Sequence, residues 1–307
     1  MGNARLRQHA TFGTFAAVEN GFGLYSFKFR HHMLDLFSSA NGNADAVRQS
    51  FEAAANSLPL DQAATLRDFA AWVEANAQVS INARLLVIVE LINGRTHQNN
   101  YEWAAEISHL SGRREEDLMR ERLGAFYERR VMFDRAFANG EQFRYGALNA
   151  GNCGLPLYGP YCIILNGRWR ASVGNTACLP GDSLELCFAA DGSFQPTVAL
   201  TRAAPYTHAN FLVAQERVHE VCSVGRGDWA TIVCSAGRYF EVIFVGSISL
   251  NDVSCVRVLR AEYNRMWDLA FANFGRRLDD AARALVQDFV QVCRGVTEGR
   301  LRIEIIE

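Results

Sequence analysis

An ordered series of short segments in the second half of the chain constrains its fold most. Arg144-Tyr145-Gly146-Ala147-Leu148-Asn149 comes first, and Tyr158-Gly159-Pro160 then leads into the apolar run Tyr161–Leu165. Pro180-Gly181-Asp182-Ser183 follows, and Tyr239-Phe240-Glu241-Val242-Ile243-Phe244-Val245-Gly246 closes the series. Short apolar runs bounded by Gly, Asn or Asp signal buried strands separated by turns. Within them, one carboxylate interrupts an apolar strand and another stands in a loop well before it. The series suggests a cleft built on strands, with two acids brought in from distant parts of the sequence.

Each of these residues also has a plainer reading. Alternation along the last strand puts Phe240, Val242 and Phe244 on one face and Tyr239, Glu241 and Ile243 on the other. An ionised Glu241 is costly there unless it is paired or faces a wet cleft; otherwise it is a strand-edge residue in solvent. Asp182 is either a site acid or the hydrogen-bonding residue of an ordinary turn. Gly146 either lets a ligand approach the backbone or makes a bend. Tyr158-Gly159-Pro160 also fits a tight turn with Tyr158 and Tyr161 in the core. Arg30, at the end of an early aromatic strand, is either a ligand for an anion or a solvated charge.

The texture changes along the chain. Residues 22–29 alternate as a strand. Residues 44–126 are Ala-rich with helical spacing, which predicts four to six helices. These include 45–56, 60–77 with Asp61 as N-cap, 81–93, 101–110 and 115–127. From about residue 130 strands return: 161–165, 229–234, 239–245 and 253–259. A helix at 211–221, helices over 261–293 and a last edge strand at 300–306 complete the pattern. At 307 residues and 49% hydrophobic the chain can bury a large core. With 31 basic against 33 acidic residues, no global field recruits nucleic acid or anionic lipid. No apolar run approaches the length of a membrane span, and the start lacks the apolar stretch of a signal peptide. The eight cysteines form no C-x-x-C pair and no zinc spacing, so buried reduced thiols are expected. No G-x-S-x-G elbow, P-loop or G-x-G-x-x-G is present.

In this order the motifs resemble the PARP-like ADP-ribosyltransferases of the CteC type, bacterial effectors that modify ubiquitin on a threonine. The shared pattern is the Tyr-Gly-Ala-Leu-Asn segment, the aromatic-Gly turn into an apolar strand, the Asp-Ser loop and the aromatic-x-Glu strand. Gly246 and Leu250-Asn251-Asp252 continue it, and Glu128-Arg129-Arg130-Val131-Met132-Phe133 fits upstream. The match covers residues 128–260, and extends weakly to Phe27-Lys28-Phe29-Arg30-His31. It implies an α+β fold: a split β-sheet ADP-ribosyltransferase core from residues 1–39 and 126–307, with residues 40–125 inserted as a helical, ubiquitin-targeting domain. It implies mono-ADP-ribosylation of host ubiquitin with NAD as co-substrate, delivery into the host cytosol by a bacterial secretion system, and a monomer that binds neither nucleic acid nor membrane. Glu241 would hold the ribose 2′-hydroxyl and oppose the positive charge of the transition state, and Asp182 would serve the acceptor hydroxyl. Tyr145, Gly146, Asn149, Tyr158 and Gly159 would line the nicotinamide end, with Arg30 or His31 as the first-strand cation. Glu220 is a rival for the catalytic acid. Another protein target, or a non-catalytic binding module on the same fold, remains an alternative.

Overall fold

The computed structural model of the chain describes residues 33–167, 175–272 and 278–307. The early strand at 22–29, with Arg30 and His31, lies outside the described residues. The first half supplies helices α1 (Leu36–Gly42), α2 (Ala44–Asn56), α3 (Leu60–Asn76), α4 (Leu85–Ile92), α5 (Asn100–Ser111), α6 (Glu115–Leu123) and α7 (Tyr127–Ala136). One strand, β1 (Gln78–Ala83), lies among them. The second half supplies β2 (Arg144–Asn149), β3 (Tyr161–Leu165), β4 (Thr176–Leu179) and β5 (Ala204–Pro205), and the two-stranded ribbon β6 (Cys234–Ser235) and β7 (Arg238–Tyr239). It ends with β8 (Glu241–Phe244), β9 (Val253–Leu259) and β10 (Ile303–Ile306). Between these strands stand α8 (Ser183–Leu186), α9 (Pro196–Arg202), α10 (Ala209–Glu216), α11 (Val218–Ser223) and α12 (Trp229–Val233). Before β10 come α13 (Arg260–Ala272) and α14 (Asp280–Thr297).

Eight strands form one sheet in the order β10-β9-β3-β1-β2-β8-β4-β5. Every neighbouring pair is antiparallel except β9 with β10. The architecture is therefore α+β, as the motif order predicts. Alternation sorts the side chains of each strand between the two faces. Val242 and Phe244 of β8, with Phe240 just before it, join a large core with α2, α3, α4, α10 and α14. Ile243 joins a smaller core with Phe37, Phe133, Phe137 and Phe143 on the other face.

The inserted-helix expectation for residues 40–125 needs correction. Gln78–Ala83 is a strand in the middle of the sheet, paired to both β2 and β3. Val47, Phe51, Leu66, Phe69 and Ile88 from this stretch share one core with Val242, Val256 and Val258. A helical unit removable from the strands would need its own core, and these side chains are buried against the sheet instead. The described residues Met33–Glu307 form one compact unit. Smaller departures have local causes. Ile81 alternates with Val79 into the core, so the helix expected at 81–93 starts only at Leu85. Residues 229–233 form a short helix instead of a strand, with Trp229 edge-on to Phe69 and Trp72 of α3. The α3 N-cap is Pro59, with Asp61 in the first turn.

Candidate functional site

Strand pairing brings the site residues together. Glu241, the first residue of β8, is paired with Ala147 of β2 on one side and Leu179 of β4 on the other. The chain leaves β4 through Pro180-Gly181, and Asp182 caps α8, its Oδ1 accepting from the Leu184 amide at 2.8 Å. That turn aims the next amide at the neighbouring strand: Ser183 N donates to Glu241 Oε2 at 3.0 Å. Asp182 is therefore both a turn residue and a site acid. Its free Oδ2 accepts from the Tyr239 hydroxyl at 2.8 Å and lies 3.5 Å from the Tyr158 hydroxyl. A cleft of about 310 Å³ is lined by Glu241, Asp182, Tyr239, Tyr158, Tyr145, Gly146 and Arg130, and on its other stretch by Asn82, His97, Asn99, Arg122 and Arg144.

Glu241 is 3% exposed, which excludes the strand-edge reading. Its charge is answered from the opposite wall. Arg130 of α7, 8% exposed, places a guanidinium nitrogen 3.8 Å from Glu241 Oε1. The same guanidinium donates to Ser183 Oγ at 3.3 Å and lies over the Tyr145 ring, 3.6 Å from its centroid. The Tyr145 hydroxyl in turn donates to Asp134, one helical turn beyond Arg130. Burial pushes the Glu241 carboxyl up to about 7, with Arg130 and the Ser183 hydrogen bonds pulling down and Asp182 adding to the rise. Asp134 rises to about 6, again through burial, with Arg130 and Tyr145 opposing. Burial opposes the charge of Arg130 too, but Tyr145, Glu241, Asp134 and Asp182 around it hold its pKa above the ordinary guanidinium value. Burial lifts the Tyr239 phenol well above its usual range, and Glu241 and Asp182 add to the rise, so it stays a hydrogen-bond donor.

The other stretch of the cleft wall is built from β2 and the start of α5. Asn99 closes a capping box with Glu102, and Arg144 donates to both Glu102 oxygens, at 2.8 and 2.6 Å. Burial and the cations Arg144 and Arg122 hold His97 down to about 4, so it is neutral near pH 7. Arg122 bonds Asn100 Oδ1 at 2.9 Å and covers the Trp103 ring.

The expected residues divide. Glu241, Asp182, Tyr145, Gly146 and Tyr158 line the cleft. Asn149 does not: it is fully buried, and its side chain holds the following loop by accepting from the Gly151 and Asn152 amides, both at 3.1 Å. Gly159 does not either. A Cβ there would come within 2.3 Å of the Ala83 backbone, and its φ of 154° suits glycine, so the residue serves close approach of the turn to β1. Gly146 is also a close-approach position, since a Cβ would lie 2.7 Å from Ser80 O. Glu220 stands on α11, paired with Arg238, and lines no part of the cleft. Arg130 and Asp134 belong to the site although neither was expected there. Arg130, Phe133, Asp134 and Phe137 follow i, i+3, i+4, i+7 spacing, which puts two charges on the buried stripe of α7. That spacing was the available signal.

Among the described residues no group of His, Cys, Asp and Glu is placed to hold a metal ion, and all eight cysteines are free. No described helix is long and apolar enough to cross a membrane. No family model matches the chain, and no curated protein matches it.

Proposed function

We propose that this chain is an NAD-dependent mono-ADP-ribosyltransferase on a split-sheet core, and that it acts on a threonine hydroxyl of ubiquitin. One observation carries the enzymatic reading. Glu241 and Asp182, remote in sequence, meet in one cleft, joined through the Ser183 amide, and are differently environed. The choice of ubiquitin rests on the resemblance of the motifs alone.

The cleft has the donor and acceptor set such a ligand needs. Its 310 Å³ is at the small end of the roughly 300–1,000 Å³ usual for ligand sites, which suits the reacting half of a dinucleotide. Tyr145, Tyr158 and Tyr239 offer aromatic walls to a flat ring, and two carboxylates offer acceptors to sugar hydroxyls. NAD, when bound, supplies a ribose carbon with nicotinamide as the leaving group. The chain's own groups do the rest. Ionised Glu241 accepts a hydrogen bond from a ribose hydroxyl and sets negative charge beside the positive charge that develops on the sugar. Its place in a low-dielectric wall makes that charge effective, and Arg130 and the Ser183 amide fix its orientation. Asp182 is half-buried and nearer the mouth, where Tyr158 is 55% exposed, so it suits an acceptor arriving from solvent. It takes the proton that the attacking hydroxyl loses.

The test is intact mass measurement of ubiquitin after incubation with the protein and NAD, with released nicotinamide followed in parallel. Addition of one ADP-ribose is expected. Glu241→Gln should lower the rate by about 10²–10³-fold, the usual effect of deleting one transition-state electrostatic partner. Nicotinamide release without ubiquitin modification would keep the transferase and replace the acceptor. No nicotinamide release under any condition would leave a binding module.

A further inference from the structure

Beyond orienting Glu241, the buried Arg130 also bears on the charge of that carboxylate. An arginine costs several kcal/mol to bury unless its charge is matched. Arg130 is held on three sides: the Tyr145 ring beneath it at 3.6 Å, the Ser183 hydroxyl at 3.3 Å and the Glu241 carboxylate at 3.8 Å. Its helix also carries Phe133 and ends at Phe137, both fully buried in a core with side chains of β4 and β8, so α7 cannot slide without breaking that packing. Ser183 contributes twice, since its amide binds Glu241 and its hydroxyl accepts from Arg130. The residue after Asp182 is thereby a bridge between the acid and the arginine.

We propose that Arg130 is a positioning residue that favours the ionised form of Glu241 and fixes its rotamer, so that a carboxylate buried in this wall can carry charge near neutral pH. The inference deepens the transferase reading where it concerns catalysis, while the ionisation claim starts from the Arg130, Ser183 and Glu241 contacts and does not depend on that reading. The charged and titratable groups around Glu241 all enter the balance, including the Cys187 thiol after α8 and the Tyr158 phenol, both of which burial keeps protonated and the Glu241 charge raises further. Arg130 from α7 favours the carboxylate, and the Ser183 amide at the start of α8 does the same. Asp182 beside it opposes ionisation. Asp134 sits on the far side of Arg130 behind Tyr145 and competes for the same cation. Tyr145 and Tyr239 remain neutral donors directed at Asp134 and Asp182 respectively. Arg130 is the one cation in this set, so removing it leaves Glu241 with burial and a like charge against it.

The experiment follows the Glu241 carboxyl by ¹³C NMR across pH in the intact chain, in wild type, Arg130→Gln and Arg130→Lys. Arg130→Gln should raise the Glu241 midpoint by about 1–3 units, the usual effect of losing an adjacent opposite charge. Arg130→Lys, which keeps a charge but cannot span the Tyr145 face and both oxygens, should fall between. If Arg130→Gln does not fold, the Lys variant alone decides. A midpoint unchanged in every folded variant overturns the proposal. With NAD turnover measured on the same samples, Arg130→Gln should lose activity at pH 7 and regain part of it as pH rises through the new midpoint. A merely structural residue would lower activity equally at all pH. A shifted midpoint in a protein that never cleaves NAD would sustain the ionisation claim and discard the transferase reading.

Discussion

The two faces of the sheet at β2 and β8 differ in what they bury. On one face Phe240, Val242 and Phe244 enter a core of apolar side chains from α2, α3, α4, α10 and α14. On the other, Ile243 and Phe143 share a smaller core with Phe133 and Phe137, and the same layer holds Glu241, Arg130 and Asp134. The first face is stabilised by area removed from water, which is non-directional and tolerant of detail. The second depends on charges that must each find a partner, because an unmatched buried ion costs far more than a missing methylene gains. A polar layer of this kind is weak evidence for stability and stronger evidence for a site, since perturbed carboxylates gather where chemistry needs them.

The largest effect expected from this contrast lies on the apolar face. Phe69 is fully buried, with its ring 5.3 Å from Trp229 and edge-on to it. Phe69→Ala should cost about 3–5 kcal/mol of unfolding free energy by urea titration. Activity per folded molecule should stay near wild type, because that cluster belongs to the large apolar core on the face opposite Glu241. An equal loss of activity in the folded fraction would show that the faces are coupled rather than separate.

A smaller effect is expected in how stability responds to pH. The folded-state value of Glu241 is raised, to about 7, so its contribution is fully present below the unfolded value and is lost as pH rises to the folded one. Across roughly pH 4.5–7 that amounts to at most about 3 kcal/mol. Asp134, raised to about 6, acts in the same direction over a narrower window. Chemical denaturation at pH 5 and pH 7.5 should therefore show the wild type losing stability on the way up. Glu241→Gln should remove most of that fall, because it keeps a neutral acceptor for the Ser183 amide and leaves only the share from Asp134. An unchanged fall would mean that the polar face carries no such cost.

The two faces were unequally legible in the sequence. Alternation alone places Phe240, Val242 and Phe244 on one side and Glu241 on the other, and β3, β8, β9 and β10 lie within the expected runs, whereas β4 and β5 were not expected and 229–233 is helical. Period-two burial is a local property, so a strand reveals its own faces. The partner of Glu241 is marked only by the helical spacing of Arg130, Phe133, Asp134 and Phe137, in a stretch whose texture otherwise points to strands. Arg130 lies in the segment 128–133 that fits the motif series, and nothing in that segment marks it as the partner of a carboxylate. Strand β1 was missed because Gln78–Ala83 sits between two helices and its pairing with β2 and β3 is wholly non-local. Asn149 and Gly159 were assigned to a ligand, yet both are required by the backbone around them: one ties down the 150–152 loop, and the other fits against Ala83. From one sequence, a residue that shapes a loop and a residue that lines a cleft look alike.

The smallest effect expected is at the rival acid, and it tests whether site and surface are separate. Glu220 is half-buried on α11 and pairs with Arg238 of β7, whose side chain is 61% exposed. Arg217 lies at the edge of the pair, 4.0 Å away, with its guanidinium over the Phe240 ring. Surface pairs of this type are worth about 0–1 kcal/mol, because water screens the attraction and two long side chains lose freedom in making it. Glu220→Gln should therefore shift the urea midpoint by no more than that amount, and should leave nicotinamide release and ubiquitin modification at wild-type rates. The comparison is sharp because Glu220 and Glu241 are the same residue type, both beside arginine, and differ in what surrounds them. If Glu220→Gln abolishes transfer while Glu241→Gln retains it, the buried carboxylate between Arg130 and Ser183 is a structural group, and the chemistry belongs to the Arg238 side of the β6–β7 ribbon.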